Sequence, residues 1–374
     1  MAGAAYLTLA LLRLLTFSVR TPAATEDEFL PPVTILKPIA GDEPQLYEHL
    51  ASFCAQDYPE YDVVFCLHDA GDPALAVAQR LKSAFPQTTL RIAIGNNAAM
   101  ANPKIANLAK PGAEPSGDVV VVADSDVLVT SQYLRALVAE FATANTGATT
   151  CLYGGIPNAS FASRLGAMHV EDEFAPSVLV ALALGPLRFC LGATMAVRRS
   201  VLAEIGGLEA LGPFLADDHT LGELVTARGH DVTLCPYPVK TSIPETVLAQ
   251  LWSHELRWAR THRAHAPVGY FFSFVMYALP LAALYAAFAR NAFALGVLAA
   301  VALLRIAVHV AARRAMRVRR KADWWSIPIR DALSLAIWAV SLFGRSVRWR
   351  DIGASVSRRG EFVANSSSTG TSPP

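Results

Sequence analysis

The sequence Asp124-Ser125-Asp126 follows directly on the apolar run Asp118–Ala123 (DVVVVA). Two carboxylates at i and i+2 can share one hard cation, and Mg²⁺ suits a diphosphate because it takes oxygen ligands from protein and phosphate together. A solvated turn could use the same residues. Their position after a strongly apolar strand favours a ligand site, since open parallel sheets bind ligands at the carboxyl ends of their strands. A second acid-bearing turn, His68-Asp69-Ala70-Gly71-Asp72-Pro73, follows the run Tyr61–Leu67. Gly, Asp and Pro make such a turn for conformational reasons alone, but two acidic strand ends together suggest a shared nucleotide crevice. Lys104, within Asn102–Leu108, is either a surface cation or a phosphate contact. Asp217 and Asp218 suit the positive end of a helix dipole, and a carboxylate on the open side of a crevice can also be general base for an alcohol. His254-Glu255-Leu256-Arg257-Trp258 lies just before a long apolar stretch. Arg and Trp are ordinary anchors at a membrane surface, and Arg also binds phosphate in bidentate fashion.

These residues need a scaffold, and the hydrophobic pattern supplies one. Val33–Leu36, Tyr61–Leu67, Thr89–Ile94 and Asp118–Ala123 read as strands, and Leu46–Phe53, Ala74–Phe85 and Ser131–Phe141 as helices. Strands alternating with helices imply parallel β-α-β units covered on both faces. Residues 33–265 therefore read as a soluble α/β domain. Residues 1–20 read as a short or truncated N-terminal membrane anchor, and 21–32 as a linker rich in Pro and acids. The apolar run Pro176–Leu187 is either a buried helix or part of a lipid entry path.

Composition points the same way. Of 374 residues, 53% are hydrophobic and only 17% charged, with a mean hydropathy of +0.34. Soluble domains carry about 25% charged residues. The membrane region is placed at 266–345, with spans at about 268–289 and 292–312 and a re-entrant or interfacial helix at about 332–344. Arg305 and His309 interrupt the second span. The six cations of Arg313–Lys321 read as a positive-inside signal. With a net charge of +1, no bulk basicity argues for nucleic acid. Residues 346–374 read as a basic tail that becomes disordered over Asn365–Pro374. The five cysteines form no CxxC pair or Cys/His cluster, so neither zinc nor a disulfide framework is indicated.

An ordered set of motifs carries a resemblance. It runs Lys37-Pro38, QDYPEY (Gln56–Tyr61), GDPA (Gly71–Ala74), the NPK turn around Lys104, DSDV, GATMAVRR (Gly192–Arg199), IGGL, ADD and HELRW. Over roughly residues 33–345 the chain resembles the ceramide glucosyltransferase family (glycosyltransferase family 21), the lipid-directed branch of the inverting GT-A glycosyltransferases. The resemblance implies an α/β, Rossmann-like GT-A domain with C-terminal transmembrane helices, a UDP-sugar donor, a divalent cation (Mg²⁺ or Mn²⁺) and a membrane lipid acceptor. It places Asp69 or Asp72 in the region that holds the uridine. Asp124 and Asp126 match the motif for ribose and metal-diphosphate, Asp218 the base, and His254, Arg257 and Trp258 the (Q/R)xxRW motif. His254 departs from the Gln or Arg of that pattern. CLYGG (Cys151–Gly155), EDEFAPSVLVA (Glu171–Ala181) and HELRWART (His254–Thr261) look most like bacterial members, among them hopanoid-biosynthesis glycosyltransferases that use bacteriohopanetetrol.

The expected enzyme moves glucose or N-acetylglucosamine to a lipid hydroxyl with inversion, in a bacterial inner membrane, multi-pass, with its catalytic domain facing the cytosol. A processive polysaccharide synthase would need a pore, for which about three weak hydrophobic segments are few. A non-catalytic nucleotide-sugar-binding membrane protein would be expected to lack the base carboxylate, yet Asp217 and Asp218 are both present.

Overall fold

The computed structural model describes residues 1–17, 19, 29–95, 97, 98 and 100–344, and the backbone of 346–349, 352–356 and 362–364. Its centre is a sheet of eight strands: β1 (Val33–Pro38), β2 (Tyr61–Leu67), β3 (Thr89–Ile94), β4 (Val119–Ala123), β5 (Val127–Leu128), β6 (Thr146–Pro157), β7 (Thr194–Arg198) and β8 (Asp231–Ile243). Their order is β3-β2-β1-β4-β7-β6-β8-β5. β1 to β4 form the parallel half, with β1 between β2 and β4. The other half is mixed. β7 runs antiparallel to β4 and β6, β6 runs parallel to β8, and β5 pairs antiparallel with β8.

The parallel half is the one that periodicity resolves. β2 and β3 occupy the anticipated runs, and the helix Leu46–Cys54 buries Leu46, Leu50 and Phe53 at helical spacing. The expected parallel β-α-β units form one half of a mixed sheet. β6 and β8 contain Gly, Thr, Pro and Lys among their apolar residues, so no clean run marks them. They become strands by pairing with each other along most of their length. Two cores sandwich the sheet, one around Ile35, Val63, Phe65, Val121 and Phe141, the other around Leu36, Val64, Val120, Val122 and Leu221. All five cysteines are buried and free.

The helices beyond β8 differ from the expected spans. Residues 268–289 do not form one continuous helix. Pro267–Met276 and Ala278–Ala289 meet at a 62° bend. Pro280 is the cause: it has no N–H for the carbonyl of Met276, and its ring crowds that carbonyl. Ala292–Ala315 is the one unbroken helix among the described residues that is long and apolar enough to cross a bilayer. The apolar stretch Ala332–Gly344 belongs to a helix that starts earlier, Ile327–Ser341. Residues 346–364, read as basic tail, include a three-stranded antiparallel sheet, β9 (Ser346–Trp349), β10 (Ile352–Val356) and β11 (Phe362–Ala364). Residues 21–28 of the linker and the segment 365–374 lie outside the described residues.

The N-terminal helix Ala2–Thr16 packs on Ala292–Ala315 and on Ala175–Leu184. At Gly3 an added Cβ would come within 2.7 Å of the Ala278 methyl, so glycine is what allows that close approach. Within Pro176–Leu187, the helix Ala175–Leu184 buries Val178 and Leu179 while leaving Leu184 at 78% exposure. Charges join the C-terminal helices to the rest of the fold. A π-helical turn, Val170–Phe174, presents three consecutive acids. Glu171 takes both Nη atoms of Arg320 at 2.7 Å. Asp172 pairs with Arg305 at 3.2 Å and His309 at 2.6 Å. Glu173 pairs with Arg330 at 3.3 Å and accepts from Ser334 at 2.6 Å. Arg305 also bonds Asp331, and Arg330 bonds Glu255, both at 3.0 Å or less. The two residues that break the apolar pattern of the Ala292–Ala315 helix, Arg305 and His309, are therefore buried partners of this acidic turn.

Candidate active site

The DSD turn sits where β4 ends, beside the start of β7. The Asp124 N–H donates to the Ala193 carbonyl, and the Ser242 N–H to the Asp126 carbonyl at 3.0 Å. Asp126 Oδ2 accepts from the Thr241 hydroxyl at 2.8 Å. Ser125 donates to Glu43 at 2.5 Å. Lys37, fully buried at the end of β1, donates to the Asp124 carbonyl and lies 3.7 Å from the Phe53 ring centre. Burial pulls the Lys37 ammonium down to about 7 against the attraction of Asp124, Asp126 and Glu43. Burial and the neighbouring Asp124 push the Asp126 carboxyl up to about 7.

Asp217 and Asp218 open the helix Asp217–Ala227 on the facing side. Lys104 Nζ bridges the two acidic turns, 2.9 Å from Asp124 Oδ1 and 3.1 Å from Asp217 Oδ2. Burial opposes its charge, but Asp124 and Asp217 outweigh that and hold Lys104 protonated. Asn102 caps the short helix Pro103–Leu108, accepting from the Lys104 and Ile105 N–H groups, which fixes where Lys104 starts.

Asp218 Oδ1 accepts from the His219 N–H at 2.8 Å, and the Asp218 carbonyl accepts from Cys190 N–H at 3.1 Å. Burial and the adjacent Asp217 push the Asp218 carboxyl up to about 7, with Lys104 opposing. Gly192 separates the two acidic turns. A Cβ there would stand 3.2 Å from Asp218 Oδ2 and 4.0 Å from Asp124 Oδ2, so glycine leaves free the space both carboxylates face. Among the described residues no three His, Cys, Asp or Glu side chains converge as a ready-made cation site. The pair Asp124 and Asp126 still fits Mg²⁺ or Mn²⁺. A nucleotide-bound cation commonly takes one or two carboxylates and completes its shell from phosphate and water, and Asp126 is a crowded acid that a cation would relieve.

The remaining sequence candidates divide. Asp72 Oδ1 accepts from Gly41 N–H at 2.8 Å and Ala74 N–H at 2.9 Å, tying the loop after β1 to the start of the helix Ala74–Ala84. Asp69 is exposed and closes its own turn on Gly71 N–H at 2.7 Å. His254, Arg257 and Trp258 lie on the helix Leu248–His265. His254 pairs with Glu245, and the Trp258 ring packs between His254 and His169, at centroid distances of 4.3 and 6.1 Å. Burial draws the Arg257 guanidinium down and Glu245 opposes this. The same helix reaches the start of the helix Asp217–Ala227 through its far end, where the His265 ring lies 4.6 Å from that of His219.

Three residues of the site were not marked as such by the sequence: Lys37, His219 and His265. Lys37 had a signal, a lone charge within an otherwise apolar strand. The two histidines had none, because they meet only through tertiary packing.

The sequence pattern of glycosyl transferase family 21 matches residues 1–361, and the chain belongs to this family. It is 24% identical over 245 residues to ceramide glucosyltransferase 3 of Caenorhabditis elegans, covering 65% of this chain and 53% of the relative. It is 36% identical over 103 residues to the ceramide glucosyltransferase of Komagataella phaffii, covering 26% of this chain and 20% of the relative. The chain thus spans about half or less of the length of these curated relatives. Among solved structures it is similar to the mannosyltransferase PcManGT of Pyrobaculum calidifontis in complex with GDP-Man and Mn²⁺, with a TM-score of 0.51, 17% identity, and coverage of 91% of this chain and 97% of that one. The fold is therefore α/β and GT-A-like, with a mixed sheet.

Proposed function

We propose that the chain is an inverting glycosyltransferase that moves a hexose from a UDP-sugar to a hydroxyl of a membrane lipid. The observation that carries this reading is the placement of Asp218 against Asp124 across the gap left by Gly192. A carboxyl raised to about 7 is matched to proton abstraction near neutral pH. In this reading Asp218 takes the proton of the lipid hydroxyl as that oxygen attacks the anomeric carbon from the face opposite UDP. Asp124 and Asp126 hold the donor's divalent cation, which when bound neutralises charge on the departing diphosphate. Lys104 holds Asp124 and Asp217 in register, Asp69 or Asp72 contacts the uridine, and Arg257 with Trp258 closes the donor side with His254.

The acceptor has two candidates, each with its own support. The relatives named above favour ceramide. The stretches CLYGG, EDEFAPSVLVA and HELRWART favour the hopanoid polyol bacteriohopanetetrol. The test is the purified chain in lipid nanodiscs with UDP-glucose or UDP-N-acetylglucosamine and either acceptor, followed by mass spectrometry of the lipid and by UDP release. Transfer to a lipid acceptor supports the reading. Equal transfer to soluble oligosaccharides overturns it.

The membrane arrangement belongs to the same proposal. Residues 33–265 form the catalytic domain, residues 1–20 an anchor, and the helices of 266–345 sit in the bacterial inner membrane with the catalytic domain and basic cluster on the cytosolic side. A reporter fused after Glu361 should read as cytosolic, and a periplasmic readout would remove this topology.

A further inference from the structure

The helix Ala292–Ala315 ends in a turn that contributes no residue to the candidate active site. The Val318 N–H donates to the Arg313 carbonyl at 2.8 Å and the Arg317 N–H to the Arg314 carbonyl at 3.1 Å. These paired bonds close a helix through one left-handed residue. Here that residue is Arg317, at φ 50°. Glycine is its usual occupant, because any Cβ is strained there. The chain accepts the strain and places a guanidinium at this point.

The turn is braced from beneath. Met316 is fully buried, and its carbonyl accepts from Lys240 Nζ. Arg320 is committed to Glu171, and its carbonyl accepts from Arg313. Beside this brace lies a cleft of about 480 Å³ lined by Arg313, Arg314, Arg317 and Arg319, with Val318 and Trp324 as apolar wall. No Asp or Glu is among the described residues that line it. Arg314, Arg317 and Arg319 are exposed.

Four guanidiniums around one cleft repel one another, and the negative end of the helix dipole offsets this only in part. An anion with several oxygens completes the balance, and the Arg fork matches phosphate. Location selects the source of that phosphate. The cleft caps the one unbroken helix among the described residues suited to cross a bilayer. Trp324, 47% exposed, forms part of its wall, as aromatic residues do at headgroup depth. We propose that the cleft between Arg313 and Trp324 binds the phosphate of an anionic phospholipid headgroup. The inference rests on the membrane-bound reading above but not on the sugar transfer.

The test titrates the full chain in detergent micelles with dioctanoyl phosphatidylglycerol, with dioctanoyl phosphatidylcholine, with inorganic phosphate and with UDP, read by tryptophan emission. Phosphatidylglycerol should bind saturably and phosphatidylcholine should not. At about 1 kcal/mol per arginine near an anionic surface, Arg317→Gly should weaken binding about fivefold, and Arg314→Gln, Arg317→Gly and Arg319→Gln together about a hundredfold. Arg317→Gly should leave the melting temperature unchanged or higher, because glycine suits that turn, which separates binding from folding. Unchanged phosphatidylglycerol binding in both variants would overturn the proposal. Inorganic phosphate binding as tightly as the lipid would make the site one for a soluble anion, and displacement of the lipid by UDP would make it part of the donor site. Either result also overturns it. Failure here leaves lipid glycosylation by the same preparation intact, so the two readings are separable.

Discussion

Two acidic regions of this molecule follow opposite rules. In the π-helical turn, Glu171, Asp172 and Glu173 each meet an arginine of the C-terminal helical region: Arg320, Arg305 and Arg330. Between the end of β4 and the start of the helix Asp217–Ala227 lie four acids, Asp124, Asp126, Asp217 and Asp218; Lys104 bridges Asp124 and Asp217, while Lys37 reaches the Asp124 backbone carbonyl. The first arrangement is electrostatically closed and fixes how helices dock on the sheet. The second leaves Asp126 and Asp218 pushed up to about 7; in the proposed function these are the acids that hold the cation and take the proton. On the proposed reading, matched acids hold architecture and unmatched acids do chemistry.

The sharpest break of this contrast is Asp218→Asn. Asn keeps the size and capping ability of Asp but cannot accept a proton as a base. Turnover should fall about 10²–10⁴-fold, with donor affinity by calorimetry nearly intact. Near-native turnover would shift the base to Asp217. Asp126→Asn should behave differently, weakening cation and donor together, because the amide loses the charge that attracts a divalent ion.

On the matched side the expected effect is on folding. Arg305→Leu strands Asp172 and Asp331 without their shared guanidinium. Breaking a buried pair from one side costs about 3–5 kcal/mol. The melting temperature should drop markedly, whereas the same measurement on Asp218→Asn should show little loss. A stable Arg305→Leu protein would mean that the acid turn does not hold the helices.

Gly192→Ala should have a smaller effect. Its methyl would stand 3.2 Å from Asp218 Oδ2, in the gap that the proposed function gives to the substrates. Turnover should fall by about tenfold or more, since small misplacements in an active site cost up to about 10²-fold. Unchanged turnover would show that this gap is not where the reaction occurs.

The smallest effect is on pH-dependent stability. The folded carboxyls of Asp126 and Asp218 titrate near 7, above their unfolded values. A raised carboxyl stabilises the fold below its unfolded value, and that contribution is lost as pH rises through the folded one. The cation-free chain should therefore melt higher at pH 5 than at pH 8. Mg²⁺ or Mn²⁺ should recover stability at pH 8 in the native chain but not in Asp126→Asn. In parallel, turnover should climb with pH and level off above about 7, as Asp218 loses its proton. A flat melting profile would remove the unmatched-acid account.

The parallel half of the sheet and the acidic turns on it were legible in the residues alone. Val119–Ala123 is apolar throughout, and Tyr61–Leu67 is apolar but for Asp62, because strands covered on both faces are near-continuous apolar runs. The carboxylates then fall at their ends by local geometry. Whatever needed partners distant in the chain waited for the fold. β6 and β8 lack a clean pattern, because pairing rather than periodicity makes them strands. No local feature signals that Lys104 bridges Asp124 and Asp217, or that Arg305 and His309 are bound to Asp172, 133 and 137 residues away. In the sequence those two residues look like defects in an apolar span. A buried charge is tolerable only beside its counter-charge, and only the folded chain brings the two together.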